Sequence, residues 1–260
     1  MVMPDRRQID EPRRGDRRGN PRHGATTPPV PLLEDFSRQS DTLLILFGGI
    51  AGAISMPPFE FFKVSDAFPT KRLFVRDLRY AWYCLGLPGH GTDSDSVLTV
   101  LRQSVERSGA RRVVTVGASA GGFAAIKYGV LLGAESALAF SPQSMIDATN
   151  RARLGDERWA PQIAALHARL GPNHPEFTIG QTVDDNTATA VDIRVSREDL
   201  LDLAHADILR DRPGVRVTEY DYGGHLMVKW LRDSGELAPI LTDTLGTGGP
   251  GRLSEPSDAG

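Results

Sequence analysis

The stretch GASAGG, residues 117–122, decides the fold of this chain. It follows the apolar run 113–116 and precedes a helix-like segment, 123–132. A serine with a glycine two residues away on each side, set between a strand and a helix, is typical of the sharp turn called a nucleophile elbow. The residues two positions before and two positions after Ser119 nearly touch in such a turn, so neither accepts a bulky side chain. We therefore predict a positive φ at Ser119, held by its surroundings, with the hydroxyl exposed at the carboxyl edge of a sheet.

Short apolar runs alternate with helical patterns on both sides of this turn. Continuously apolar strands separated by helices are typical of a parallel sheet buried on both faces. We predict strands at 42–47, 73–75, 113–116, 137–140, 191–195 and 215–220, and an amphipathic helix at 94–107. The predicted fold class is α/β, with a mostly parallel sheet covered by helices on both faces. In such sheets the functional groups gather at the carboxyl ends of the strands.

The two ends of the chain differ in composition from its middle. Residues 1–37 are rich in Arg, Pro, Gly and Asp, and residues 246–260 include a Gly-Gly-Pro-Gly run. Segments with so few large apolar residues do not form a core, so we predict disordered tails on either side of one domain, 38–245. Within that domain, residues 143–188 interrupt the alternation with one amphipathic helix and a polar stretch. Their place after the elbow predicts a small lid insertion.

Composition excludes several classes of function. The formal net charge of −3 gives no reason to expect a nucleic-acid partner. Cys84 is the only cysteine, which excludes an internal disulfide and favours a reducing, cytoplasmic location. No apolar run approaches the roughly 20 residues that a membrane span requires. There is no H-x-H or H-E-x-x-H pattern, so we predict neither a metal nor another cofactor.

One histidine is well placed to act on Ser119. His225 lies in the loop YGGHL, residues 222–226, just past the last predicted strand. Parallel strands end at one edge of a sheet, so this loop is expected to bring the imidazole over the serine hydroxyl. A base beside a serine hydroxyl is what nucleophilic catalysis needs, and His225 is therefore the candidate base.

Three carboxylates follow the strand predicted at 191–195, and one of them is expected to orient the base. Asp199 lies shortly past the strand, the usual position for such an acid, and Asp202 lies about one helical turn later. Each of them also suits the first turn of a helix, where acidic side chains complement the macrodipole. The sequence leaves Asp202 and Asp199 as alternatives and makes Glu198 the weakest of the three.

Two backbone N–H groups are candidates for an oxyanion hole. One belongs to Ala120, directly after the serine. The other belongs to Gly49, at the end of the strand predicted at 42–47, where glycine lets a backbone approach a substrate closely. The apolar, aromatic loop 56–62 follows that strand, and its composition suits an acyl pocket.

The order Ser119, then an aspartate, then His225, with Phe47-Gly48-Gly49 upstream, resembles the α/β-hydrolase superfamily. The resemblance covers most of the predicted domain, and the chain is similar to small bacterial serine esterases and thioesterases. Many members have His-Gly where this chain has Phe47-Gly48, a position at which esterases vary. The resemblance implies a serine hydrolase acting on a small-molecule or acyl-carrier-bound ester or thioester through a Ser-His-Asp triad. It leaves the oligomeric state open.

Other functions compete with this interpretation. A glycine-rich turn between strand and helix also binds dinucleotides, but here it lies mid-chain and no Tyr-x-x-x-Lys pattern occurs. The same triad also serves an acyltransferase or a cyclase, in which the acyl group passes to an acceptor other than water. A non-catalytic partner protein with the same fold is the remaining alternative.

Overall fold

The computed structural model describes residues 30–50, 61–186 and 188–246. Most of the two predicted tails, and most of the predicted acyl-pocket loop 56–62, lie outside these residues. Within them, no helix is both long and apolar enough to cross a membrane.

The described strands form one seven-stranded sheet in the order β1-β3-β2-β4-β5-β6-β7. All neighbouring strands are parallel except β1 and β3, which are antiparallel. The sheet is therefore mostly parallel, as predicted. The strands are β1 Leu32–Asp35, β2 Thr42–Phe47, β3 Lys71–Val75, β4 Arg112–Ala118, β5 Ser136–Phe140, β6 Ala190–Ser196 and β7 Val215–Tyr220.

Strand β1 corrects the predicted start of the domain. Residues 32–35 fall inside the segment expected to be a tail that ends at residue 37, yet Leu32 pairs with Val75 and Asp35 with Arg72. The sequence of β1, Leu32-Leu33-Glu34-Asp35, lacks the continuous apolar pattern of a buried strand, because β1 lies at the edge and pairs with the sheet on one side only. Its carboxylate Asp35 also accepts a hydrogen bond from the buried Arg72 guanidinium, Nε to Oδ2 at 3.1 Å.

Helices cover both faces of the sheet. In β2, Leu43 and Ile45 pack with the helices on one face, while Leu44 and Leu46 pack with those on the other. Full burial of such a side chain stabilises the fold by about 1.5–3 kcal/mol, which explains why β2 is apolar throughout. The helices are α1 Phe62–Ser65, α2 Ser94–Ser108, α3 Ala120–Leu132, α4 Ala148–Leu154, α5 Ala160–Leu170, α6 Gly180–Asp184, α7 Leu200–Arg210, α8 Met227–Asp233 and α9 Leu237–Leu245.

The segment predicted as a lid insertion, residues 143–188, contains α4, α5, a 3₁₀ helix at Pro175–Phe177 and α6. It is more ordered than its polar sequence indicates. Phe177 and Val183 are fully buried in the same apolar cluster as Phe123 of α3. Residues 143–188 are therefore anchored to the body of the domain beside the elbow helix.

Candidate active site

The backbone at Ser119 has the conformation that the sequence predicts. Its φ is 55° and its ψ is −120°, a conformation that side-chain-bearing residues rarely adopt. A Cβ on Gly117 would lie 2.1 Å from the Gly121 carbonyl oxygen, and one on Gly121 would lie 2.3 Å from that of Phe47. Both glycines are required because the backbone itself fills the space, and the turn places Ser119 between β4 and α3.

Ser119, His225 and Asp202 form a hydrogen-bonded row at the carboxyl edge of the sheet. The Ser119 Oγ lies 3.1 Å from Nε2 of His225. The other ring nitrogen, Nδ1, lies 2.8 Å and 3.0 Å from the two carboxylate oxygens of Asp202. An ionised carboxylate only accepts hydrogen bonds, so Nδ1 carries the proton and Nε2 is left to accept one from Ser119.

The three side chains of this row differ in exposure and come from three separate elements. Ser119 follows β4, Asp202 lies in the first turn of α7, and His225 lies in a 3₁₀ turn, Gly224–Leu226, after β7. The Asp202 side chain is fully buried and that of His225 is 25% exposed. The acid at one end of the row is therefore shielded from solvent, whereas His225 and Ser119 at the other end are accessible.

Asp199, the alternative acid, lies at the N-terminus of α7 and caps that helix. It is the N-cap of α7, and its Oδ1 accepts the backbone N–H groups of Leu201 at 3.1 Å and Asp202 at 3.0 Å. This cap begins the helix that carries Asp202 towards His225. The two aspartates that the sequence left open thus occupy different positions, one at the helix terminus and one against the imidazole.

The two residues whose backbone N–H groups are predicted for an oxyanion hole both belong to the described part of the chain. Ala120 is the first residue of α3, where a helix leaves its N–H groups without intrahelical acceptors. Gly49 follows β2 and is buried. The preceding Gly48 is held in place, since its N–H donates to the Val75 carbonyl at 2.9 Å and its carbonyl accepts the Tyr83 hydroxyl at 2.8 Å.

Sequence reasoning missed an arginine that contacts the acid. Arg158, from the insertion, donates from Nη1 to Oδ1 of Asp202 at 2.6 Å and from Nη2 to Oδ2 of Asp156 at 2.8 Å. Burial by itself would raise the pKa of Asp202, but the hydrogen bonds and charges of His225 and Arg158 outweigh it and lower that pKa below its usual value. Asp202 is therefore held ionised. No motif in the sequence marks Arg158.

A glutamine was missed as well. Oε1 of Gln143 lies 3.3 Å from Oγ of Ser119, and the side chain is completely buried. Gln143 follows β5, and its backbone N–H donates to the Ser119 carbonyl at 3.3 Å. The only sequence signal was that β5 ends at the same edge of the sheet as β4.

Ligand atoms of Asp199, Asp202 and His225 lie within 4.8 Å of one another, a spacing that also suits a metal ion. Nδ1 of His225 and both carboxylate oxygens of Asp202 are already hydrogen-bonded to each other, and Oδ1 of Asp199 accepts two backbone N–H groups. The guanidinium of Arg158 touches Asp202 at 2.6 Å and would repel a cation there. The donor set fits a proton-transfer site better than a metal centre.

Comparison with known proteins identifies the fold. No protein-family model matches the sequence, and no curated protein matches it. Among solved structures, the chain is similar to a capsule O-acetyltransferase of Neisseria meningitidis serogroup A, with a TM-score of 0.58 and 13% identity over 82% of this chain and 90% of that one. It is also similar to Est1E from Butyrivibrio proteoclasticus, with a TM-score of 0.55 and 12% identity over 83% and 93% of the two chains.

A third similar structure is the S-formylglutathione hydrolase FrmB from Staphylococcus aureus, with a TM-score of 0.56 and 15% identity over 80% of this chain and 85% of that one. Together with the sheet order and the elbow, these likenesses show that the chain has the α/β-hydrolase fold. This is the fold that the sequence predicted.

Proposed function

We propose that this protein is a serine hydrolase that cleaves an ester or thioester through an acyl-enzyme. The observation that carries the proposal is the row itself, in which a strained, accessible serine lies 3.1 Å from an imidazole whose other nitrogen faces a buried carboxylate. A nucleophile, a base and an orienting group in hydrogen-bond contact are the minimum for this chemistry.

In the proposed mechanism, Oγ of Ser119 attacks the carbonyl carbon of the substrate as its proton passes to Nε2 of His225. Asp202 holds the imidazole tautomer and stabilises the imidazolium. The N–H groups of Ala120 and Gly49 stabilise the oxyanion; loss of one such donor costs about 3–4 kcal/mol. The imidazolium then returns the proton to the leaving group, and the acyl-enzyme is hydrolysed by water that His225 activates in turn.

Acyl transfer to an acceptor other than water is the second candidate. The likeness to the capsule O-acetyltransferase supports this candidate. Hydrolysis and acyl transfer share the formation of the acyl-enzyme, so the Ser119, His225 and Asp202 row is compatible with either. The two functions differ only in what enters the site during deacylation. In either reaction we propose that the acyl donor is a small-molecule or carrier-bound ester or thioester.

The test is the Ser119→Ala variant, assayed with p-nitrophenyl acetate and with a fluorophosphonate probe. We expect turnover to fall by about 10⁴-fold or more and labelling to disappear. Ser144→Ala is the matched control, since Ser144 is a buried serine of the same domain. Undiminished turnover or labelling in Ser119→Ala would refute the proposed function.

The two acceptors are distinguished with the wild-type protein. A burst of p-nitrophenol from p-nitrophenyl acetate shows only that the acyl-enzyme accumulates, which happens in either case when deacylation is slow. In a transferase, added alcohols or sugars accelerate the slow phase and are recovered as acetylated products, whereas in a hydrolase acetate remains the main product. Mass spectrometry of the acetylated Ser119 peptide identifies the intermediate in either case.

A further inference from the structure

The hydroxyl of Ser119 faces two acceptors but has only one proton. Nε2 of His225 lies 3.1 Å from Oγ and Oε1 of Gln143 lies 3.3 Å from it. Since Nδ1 of His225 donates to Asp202, Nε2 is an acceptor, and the proton of a reactive serine must point to it. In this orientation of the amide, Oε1 of Gln143 and Oγ of Ser119 face each other with their lone pairs and with no proton between them.

The same orientation leaves a second polar group unsatisfied. Nε2 of Gln143 is buried and has no hydrogen-bond partner among the described residues. A buried amide N–H₂ without an acceptor is destabilising, because it has given up its hydrogen bonds to water and gained none in the protein. The oxygen and nitrogen of a side-chain amide have nearly the same shape, so rotation by a half-turn exchanges them without altering the packing.

That half-turn removes the first conflict and makes the second less costly. It places Nε2 where Oε1 now lies, 3.3 Å from the Ser119 oxygen, so that the amide donates to a lone pair while the serine proton goes to His225. The carbonyl oxygen takes the unpartnered position, and an under-satisfied carbonyl is tolerated better than an orphaned N–H.

The backbone keeps the Gln143 amide close to Ser119. Besides the Gln143 N–H, which donates to the Ser119 carbonyl, the Ser119 N–H donates to the Phe140 carbonyl at 2.9 Å. A Cβ on Gly122 would lie 3.1 Å from Pro142, so the turn after β5 packs directly on the elbow. The amide is part of a rigid pair of turns.

We infer that Gln143 is a further catalytic residue that donates an N–H to Oγ of Ser119 and stabilises the negative charge on that oxygen. This inference rests on the proposed function. As the proton of Oγ moves to His225, the donor stabilises the partial negative charge on Oγ. Once the Oγ–carbon bond has formed, that charge lies on the former carbonyl oxygen, which the N–H groups of Ala120 and Gly49 stabilise. In deacylation this oxyanion re-forms the carbonyl, the Oγ–carbon bond breaks, and the Gln143 N–H stabilises the charge on the departing Oγ until His225 returns the proton.

The experiment compares Gln143→Met, which keeps the volume without hydrogen-bonding groups, with Gln143→Glu, whose ionised carboxylate only accepts. With p-nitrophenyl acetate we expect kcat/KM of Gln143→Met to fall by about ten- to a hundredfold, the usual effect of losing a hydrogen bond to a charged group. At the alkaline end of the pH profile, where even a buried carboxyl group is ionised, Gln143→Glu should have a lower kcat/KM than Gln143→Met, because its carboxylate repels the charge that forms on Oγ.

The ratio of kcat/KM in Gln143→Glu to that in Gln143→Met is the second readout. The carboxyl group introduced by Gln143→Glu can donate once it is protonated, so we expect this ratio to rise as the pH falls. Its ionised carboxylate also favours the imidazolium of His225, and that effect alone would make the ratio fall as the pH falls. Without a donor role for residue 143, the ratio should therefore stay constant or fall as the pH falls.

Ser141→Ala is the matched control, since it removes another buried hydroxyl of the same turn that has no partner among the described residues. It should retain wild-type kcat/KM. Should Gln143→Met fail to fold, Gln143→Asn keeps a buried amide but withdraws it from Oγ, and the same loss is expected. A Gln143→Met or Gln143→Asn variant that folds and retains wild-type kcat/KM overturns the inference, as does a ratio of Gln143→Glu to Gln143→Met that does not rise as the pH falls. Wild-type turnover that is independent of Ser119 would instead refute the proposed function.

Discussion

Two serine-histidine-aspartate rows occur in the described part of this molecule. The Ser119 row consists of Ser119, His225 and Asp202. The Ser144 row consists of Ser144, His205 and Asp156, with Oγ of Ser144 3.4 Å from Nδ1 of His205 and Nε2 of His205 3.1 Å from Asp156. Arg158 joins them, since it donates to both carboxylates. Residue types and spacings alone do not separate the two rows.

Their surroundings do. In the Ser144 row the serine hydroxyl donates to the His205 carbonyl at 2.7 Å, so its proton is not available to the imidazole. All three side chains are buried, and Ser144 is 1% exposed. Ser119 instead has a positive φ at the start of a helix, beside an imidazole that solvent reaches. Access and a nearby set of helix N–H groups are therefore what distinguish a candidate catalytic row from a structural one.

The largest expected effect separates the two acids near His225. Asp202→Asn should lower kcat by about 10⁴-fold, because an amide no longer fixes the tautomer of His225. Asp199→Asn should have little effect on kcat, since asparagine is also a good helix N-cap. Steady-state kinetics with p-nitrophenyl acetate measures both. Equal losses in the two variants would remove the distinction between orienting acid and helix cap.

The Ser144 row should respond in stability rather than activity. Burial would raise the pKa of Asp156, but the hydrogen bonds from His205 and Arg158 lower it well below its usual range. Asp156→Asn breaks a buried ion pair and should lower the free energy of unfolding by about 3 kcal/mol at neutral pH. We expect kcat to change much less than in Asp202→Asn.

The pH dependence of that loss has a definite sign. A carboxyl whose pKa is lowered by folding stabilises the protein above about pH 4, where it is ionised in both states, and this stabilisation disappears as the pH falls. The difference in the free energy of unfolding between wild type and Asp156→Asn, measured by urea titration, should therefore become smaller below about pH 4. A difference that stays constant with pH would show that the ionised form of Asp156 is not what matters.

The smallest effect is expected at the arginine that joins the rows. Arg158→Gln leaves the Asp202 carboxylate with only His225 as a charged partner, which favours the imidazolium. The acid limb of kcat/KM should therefore move up by about one pH unit. Arg158→Lys keeps the positive charge but loses the planar pair of donors that reaches both carboxylates. It should therefore lower kcat modestly without shifting the acid limb of the pH profile. Superimposable pH profiles for Gln, Lys and wild type would contradict this electrostatic role.

Much of the fold was predictable because local rules and the tertiary structure agree. Strands β2 and β7 begin and end where the apolar runs predict them, and the elbow glycines fit their backbone contacts. Strand β1 was missed because a short edge strand with Glu34 and Asp35 lacks the continuous apolar pattern of a buried strand. Arg158 and Gln143 were missed because each meets the site through a contact between elements that are distant in sequence.

The sequence by itself determined the α/β class, the strained turn at Ser119 and the chain order of serine, acid and histidine. These follow from apolar periodicity and from the space that glycine leaves, both of which are local. Only the tertiary structure decided that Asp202 rather than Asp199 faces His225, and that the insertion brings Arg158 to the acid. The direction in which a helix presents a side chain depends on how it packs against the sheet, and no local pattern carries that information.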